Sequence, residues 1–432
     1  MAPRISRHYQ NREPSVIRAA QILFNARKDK DLINVINLAI GNISLPMHPV
    51  MVDAMASLHK KDSPFNKGIV KYTSSVGSRD CQDAIIHSID AELGNQKKDK
   101  VQCVITDGGS QAMELMLLGV CGPSSKKPLL ILDPAYTNYI EFSKRLSIPI
   151  VPYVRSIKKN GKFSGINYND VDRLIKKYNP SGILIIPYDN PTGQFLNQDN
   201  INSIASLAVK HNIWIISDEA YRSLHYNSDR SSSIWRLSNN EIPNIQGRRI
   251  SIESSSKTWN ACGLRIGALL TDNLTFHKKS VSEYTANLCA NSIGQEIFGV
   301  LATEPHDKLQ LWLNELREYY KSILSELKTE FETKIPGIIV TKPEASIYFI
   351  IDLKNLVDDQ FDAENFVNFC ATKGKVSINN NLYTLLLAPM NGFYQDSIHG
   401  RTQLRVAMVE SRKSIMLAPK ILSKLINSYQ RK

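Results

Sequence analysis

A chain of 432 residues, 42% apolar and 22% charged, has room for two or three packing units of ~100–200 residues and the composition of an ordinary globular protein. Its 19 prolines and 21 glycines exclude a collagenous or low-complexity chain, and no uncharged apolar window approaches the ~18–20 residues of a membrane helix, the longest being 128–132, 183–186 and 347–351. The net charge of +12 suits an anionic partner without choosing among phosphate, carboxylate, nucleic acid and membrane surface.

In chain order, the N-terminus carries Arg4, Arg7, Arg12, Arg18, Arg27, Lys28 and Lys30 against Glu13 and Asp29, with no apolar h-region behind them, so it is not a secretory signal. The reading is a solvated basic arm, with a transit peptide as the alternative. The rest of the first hundred residues is mixed and expected to join a second domain. From 101 to 270, short β-branched runs alternate with helical patterns: 101–105, 111–120, 129–132, 183–186, 200–209, 213–217 and 249–252. That alternation predicts an α/β layer with a largely parallel sheet. An amphipathic helix follows over 306–331, with Leu309, Leu313, Leu316, Tyr320, Ile323, Leu324 and Leu327 at core spacing. Beyond it, strands at 337–341, 346–351 and 403–408 with helices at 363–373 and 415–428 predict a smaller α+β domain. The expected bounds are 1–65 for the arm and part of the small domain, 66–305 for the large domain, and 306–432 for the connecting helix and the remainder. Cys81, Cys103, Cys121, Cys262, Cys289 and Cys370 form no CxxC pair, and the nine histidines lack ligand spacing. No metal and a reducing, cytoplasmic compartment are expected.

In an open parallel sheet, ligands bind beyond the carboxyl ends of the strands, so the residues after each strand carry the chemistry. After 101–105 comes Gly108-Gly109-Ser110 before a helix, either an anion site or a plain N-cap. Tyr136, after 129–132, either stacks on a planar ligand or plugs the core. Asn190-Pro191-Thr192-Gly193 follows 183–186 and reads by itself as a turn. Asp218-Glu219-Ala220-Tyr221 places an acid at the mouth of an inner strand, where it needs a cation or a proton. After 249–252, Lys257 is the one charged residue between Glu253 and Arg265. It is either a surface lysine or a desolvated amine able to attack a carbonyl.

The ordered set Gly-Gly-Ser, Pro-x-Tyr, Asn-Pro-Thr-Gly, Asp-Glu-Ala-Tyr, Ser-x-Ser-Lys, Gly-x-Arg-x-Gly and a late arginine resembles the fold-type I pyridoxal 5'-phosphate (PLP) enzymes, in particular the class I/II aminotransferases. The resemblance covers about 37–428. It implies a large PLP-binding domain with a mostly parallel seven-stranded sheet between helices, plus a smaller α+β domain formed by the two chain ends. It implies that Lys257 binds PLP covalently and moves the substrate α-proton, and that Asp218 faces the pyridine nitrogen. Asn190 and Tyr221 match the pair that hydrogen-bond the ring hydroxyl, and Tyr136 the stacking aromatic. Gly109, Ser110, Ser254 and Arg265 match the phosphate cup. Tyr72 resembles a tyrosine that reaches the phosphate of the neighbouring subunit, which implies a homodimer with shared active sites. Arg405 matches the fork that grips the substrate α-carboxylate, the alternative being a surface ion pair, and Gly41 the glycine that closes over the same carboxylate.

Four positions depart from the family pattern and bear on the substrate: Asp189, Gln82, Ala345-Ser346 and the stretched segment from Gly41 to Pro46. The expected activity is transfer of an amino group from an L-amino acid to a 2-oxo acid by a ping-pong cycle. C–S lysis or a cyclising synthesis on the same scaffold is the alternative. About forty residues precede the first motif, too few for a DNA-binding module, so neither nucleic acid nor membrane is an expected partner. Residues 285–292 hold no cation, where relatives selective for acidic substrates often place an arginine. The expectation is therefore a neutral or aromatic substrate side chain, or an acidic one met by another residue, such as one from the basic N-terminal arm.

Overall fold

The computed structural model describes residues 3–94, 101–226 and 230–431. Seven strands form the central sheet: β1 (Gln102–Asp107), β2 (Leu129–Asp133), β3 (Ile150–Val154), β4 (Gly182–Ile185), β5 (Trp214–Asp218), β6 (Arg249–Ser254) and β7 (Ile266–Thr271). Their spatial order is β1-β7-β6-β5-β4-β2-β3. All run parallel except β7, which pairs antiparallel with β1 and with β6. The fold is the mostly parallel seven-stranded α/β layer expected.

The inner strands are apolar at nearly every position because both faces are covered, as parallel sheets require. Leu130, Ile183 and Ile215 point into one apolar cluster, and their neighbours Ile131, Leu184 and Ile216 into another, following the two-residue period of a strand. Two strands of this sheet escaped the sequence reading. Pro149 and Pro152 disguise β3, whose burial is partial, and β7 begins inside the Gly-x-Arg-x-Gly motif.

A second body is built from both chain ends. Tyr348–Asp352 and Gln403–Ala407 pair antiparallel at the centre of a four-stranded sheet. The early strand Asn34–Asn37 pairs parallel with Asn381–Leu386. Helix His306–Lys334 joins the two bodies, burying Leu309 in the core of the large sheet and Leu316 to Phe331 in that of the second body.

The basic arm is not solvated along its whole length, which corrects the sequence reading. Helix Val16–Asn25 buries Ala20 and Phe24 in the second body. Arg27 is buried beyond it, its Nη1 donating to the Gly374 carbonyl at 3.0 Å and to those of Cys370 and Ala371 at 3.4 Å. These carbonyls close helix Ala363–Thr372, so Arg27 satisfies acceptors that a helix C-terminus leaves open. Charge count alone hides this, because one cation in seven has found a buried acceptor cluster.

Arg27→Ala should strip this cap and cost about 2–4 kcal/mol. Urea unfolding reads it as a lower midpoint at unchanged slope. A change below about 0.5 kcal/mol would show that water replaces the guanidinium at no cost.

Candidate active site

The carboxyl ends of β1, β4, β5 and β6 open on a cleft of about 810 Å³, whose other walls come from the second body and the N-terminal helix. Asp218 ends β5 and is buried. The Tyr139 hydroxyl donates to its Oδ2 at 2.7 Å and the Ala220 amide to its Oδ1 at 3.1 Å. No cation lies within ion-pair distance among the described residues. Burial pushes the Asp218 carboxyl up to about 6 against those two hydrogen bonds, and the negative charges of Glu253 and Asp189 act in the same upward direction.

Glu219 turns away from the cleft. Its carboxylate lies 3.0 Å from Arg222, which also binds Glu253 at 2.6 Å and lies 3.6 Å from Glu92. Burial raises the Glu219 carboxyl to about 7 despite the arginine. The pair Asp218-Glu219 thus serves two sites, one facing the cleft and one binding the sheet to the helix Arg79–Leu93 that carries Glu92.

Lys257 lies in the turn after β6, half-buried, and its Nζ donates to the Gly41 carbonyl. Gly41 has no room for a side chain: a Cβ there would lie 2.3 Å from the Tyr348 hydroxyl. Gly109, Ser110, Ser254 and Arg265 line one end of the cleft. Gly108 precedes helix Gly109–Val120 with φ +75°, and a Cβ on it would meet the Arg265 guanidinium at 2.2 Å. A Cβ on Gly267 would meet the Gly108 carbonyl carbon at 2.4 Å. Only glycines let the helix N-terminus and the arginine share this space. Arg265 binds carbonyl oxygens, those of Cys262 at 3.1 Å and Asp107 at 3.5 Å, and no carboxylate among the described residues.

Arg405 sits mid-strand with 1% of its surface exposed, so it is not the surface ion pair considered above. Nη1 donates to Asn190 Oδ1 at 2.8 Å and Nη2 to the Ala39 carbonyl at 2.6 Å. The rings of Tyr348 and Phe393 flank its guanidinium at 4.1 and 4.9 Å, and Nε has no partner. A buried guanidinium without a carboxylate is a receptor for one. Tyr221 bonds the Tyr348 hydroxyl at 2.7 Å, and burial keeps its phenol protonated. Tyr136 also lines the cleft.

Every sequence-predicted site residue except Tyr72 therefore lines one cleft. Tyr72 is 76% exposed and lies outside it. Of the four departures, only the segment from Gly41 to Pro46 reaches the cleft, through Gly41, Asn42 and Ser44. Asp189 instead pairs with buried Arg155 at 2.8 Å, Gln82 bonds the Gly77 carbonyl at 3.1 Å, and the Ser346 hydroxyl bonds the Asp189 carbonyl at 2.9 Å. These three side chains contact the protein itself and do not line the cleft. The sequence reading missed Tyr139, Tyr348 and Phe393, and named Arg18 only as one cation of the basic arm. A lone hydroxyl inside the apolar run 347–351 was the available signal for Tyr348. Tyr139 lay three residues beyond Tyr136, on a helix whose start the reading did not place.

The family model for aminotransferase class I and II matches residues 33–408. The chain belongs to the class I and II aminotransferases. An aspartate aminotransferase of Sulfolobus acidocaldarius is 25% identical over 365 residues, which cover 84% of this chain and 85% of that one. An asparagine–oxo-acid transaminase of Streptococcus mutans is 26% identical over 289 residues, 66% of this chain and 69% of that one. The solved N-succinyldiaminopimelate aminotransferase of Mycobacterium tuberculosis shares the fold, with a TM-score of 0.78 over 98% of this chain and 100% of its own at 19% identity. The protein is a transaminase, and members of its family use PLP. The cleft fits that group on charge alone: a buried carboxylate lacks a cation at one end, and a helix N-terminus with an unpaired arginine lacks an anion at the other.

Because folding raises the Asp218 carboxyl from 3.8 to about 6, the native state binds the extra proton between those values. Its favourable contribution is lost as pH rises from about 4 to 6 and stays lost above. In protein freed of cofactor, Asp218→Asn should therefore raise stability by about 1–3 kcal/mol at pH 7.5 and by little at pH 4. A less stable variant at pH 7.5 would contradict an uncompensated carboxylate.

Proposed function

We propose that this aminotransferase moves an amino group from an L-amino acid to a 2-oxo acid by a ping-pong cycle through pyridoxamine phosphate. One observation carries the reading: a single cleft holds an unpaired buried carboxylate, an unpaired buried guanidinium and a lysine amine, each on a different segment of the chain. PLP, when bound, supplies an electrophilic carbonyl for the amino group and a ring that withdraws electrons from the substrate α-carbon.

The protein's own residues do the rest. Arg405 binds the α-carboxylate with a fork already held by Asn190 and Ala39, so little ordering remains to be done on binding. Lys257 Nζ carries the α-proton, and the Gly41 carbonyl holds that amine at the substrate side of the cleft. Asp218, fixed by the Tyr139 hydroxyl, would hold a proton on the ring nitrogen. Tyr221, oriented by Tyr348, and Asn190 would donate to the ring hydroxyl. Tyr136 would pack against the ring, and Gly109, Ser110, Ser254 and Arg265 would hold the phosphate.

The same reading makes the protein a cytoplasmic homodimer in which Tyr72 completes the neighbour's phosphate cup. Exposed Ile69, Val70 and Tyr72 on one stretch support such an interface. It divides the chain at 65 and 305, which is supported by the pairing of Asn34–Asn37 with Asn381–Leu386.

Mixing the PLP form with single amino acids, without a 2-oxo acid, tests the activity by its spectrum. The expected result is stoichiometric conversion to the pyridoxamine form, reversed by adding a 2-oxo acid. Catalytic release of pyruvate and ammonia would instead establish lyase chemistry.

A further inference from the structure

The aminotransferase reading assigns a ligand group to three of the four cations lining the cleft: Lys257, Arg265 and Arg405. Arg18 is the fourth. It has no ion pair and no side-chain hydrogen bond among the described residues. It projects from helix Val16–Asn25, which Ala20 and Phe24 anchor in the core and Arg27 ties to the second body. The helix packs closely against the turn Met390–Phe393, since a Cβ at Gly392 would lie 2.5 Å from Val16. Phe393 in that turn flanks Arg405, so Arg18 and the α-carboxylate receptor belong to one wall of the cleft.

We infer that Arg18 binds a second, side-chain carboxylate of the substrate, and so makes the enzyme selective for dicarboxylic amino acids over neutral ones. This rests on the function proposed above. A guanidinium facing a ligand cleft with no protein anion at its fork is complementary to a carboxylate, and its charge disfavours cationic side chains. The cation-free stretch 285–292 offers no competing receptor. Glu410 is the acid at the same rim. It accepts from the Asn37 amide at 3.4 Å and makes no ion pair with Arg18, leaving the fork open. Asn37 in turn donates to Gln21 at 2.5 Å, one helical turn beyond Arg18, which holds this face of the helix toward the cleft.

The test uses the holoenzyme and its Arg18→Ala and Arg18→Lys variants. Half-reaction kcat/KM is measured for aspartate, glutamate, alanine and leucine, and equilibrium binding for unreactive succinate against propionate. In Arg18→Ala the ratio of kcat/KM for aspartate over alanine should fall roughly 10- to 100-fold, the worth of one charge-assisted pair, and succinate should lose its advantage over propionate. Arg18→Lys should keep part of both preferences, since charge survives and the fork does not. Ratios within about threefold of wild type in Arg18→Ala, or a wild type that prefers alanine or leucine, would overturn the inference. Failure of every amino acid to convert the cofactor would sink the aminotransferase reading instead, and succinate binding would still decide the role of Arg18.

Discussion

Unbalanced charge organises this molecule. Asp218 is buried with only neutral hydrogen-bond donors, while Arg265 and Arg405 face the same cleft with no carboxylate among the described residues to meet them. Burying Asp218 and Arg405 in this way costs several kcal/mol each in isolation, and a ligand of opposite charge relieves it, whereas Arg265 is exposed and keeps its water until an anion arrives. A zwitterionic ligand set with a cationic ring nitrogen, a phosphate and a carboxylate would neutralise all three. The parallel sheet makes the arrangement possible, because β1, β5 and β6 deliver the helix N-terminus, the aspartate and the lysine turn to one edge.

The second body supplies what the sheet cannot. Arg405 lies in a strand hydrogen-bonded to Tyr348–Asp352, and it reaches across to Asn190 of the large body and to Ala39 near the N-terminus. Tyr348 does double service, packing its ring on Arg405 while its hydroxyl meets Tyr221. Arg405 and Tyr221 are therefore coupled through one side chain. The docked N-terminal helix closes the remaining side of the cleft, and Arg27 secures it at its far end.

Much of this was legible in the residues, and the rest was hidden for physical reasons. Strands buried on both faces announce themselves as continuous apolar runs, and helix His306–Lys334 shows its stripe plainly. Residues that line the cleft sit after strands in a fixed order, so the motif series brought them out. Side chains that act through another residue leave no such trace: Tyr139, Tyr348 and Phe393 read as core aromatics until tertiary contacts bring them to Asp218 and Arg405. Asp189 shows a contact the sequence hides. It departs from the family pattern at a site-adjacent position, but Arg155, thirty-four residues earlier, absorbs the change by pairing with it.

The account depends most on Lys257 as the point of cofactor attachment. Borohydride reduction of the holoenzyme, followed by peptide mass mapping, tests that directly. The account predicts a phosphopyridoxyl group on the peptide containing Lys257 and no labelled lysine in Lys257→Ala. A label on another lysine with Lys257 unmodified, or full turnover by Lys257→Ala, would contradict it.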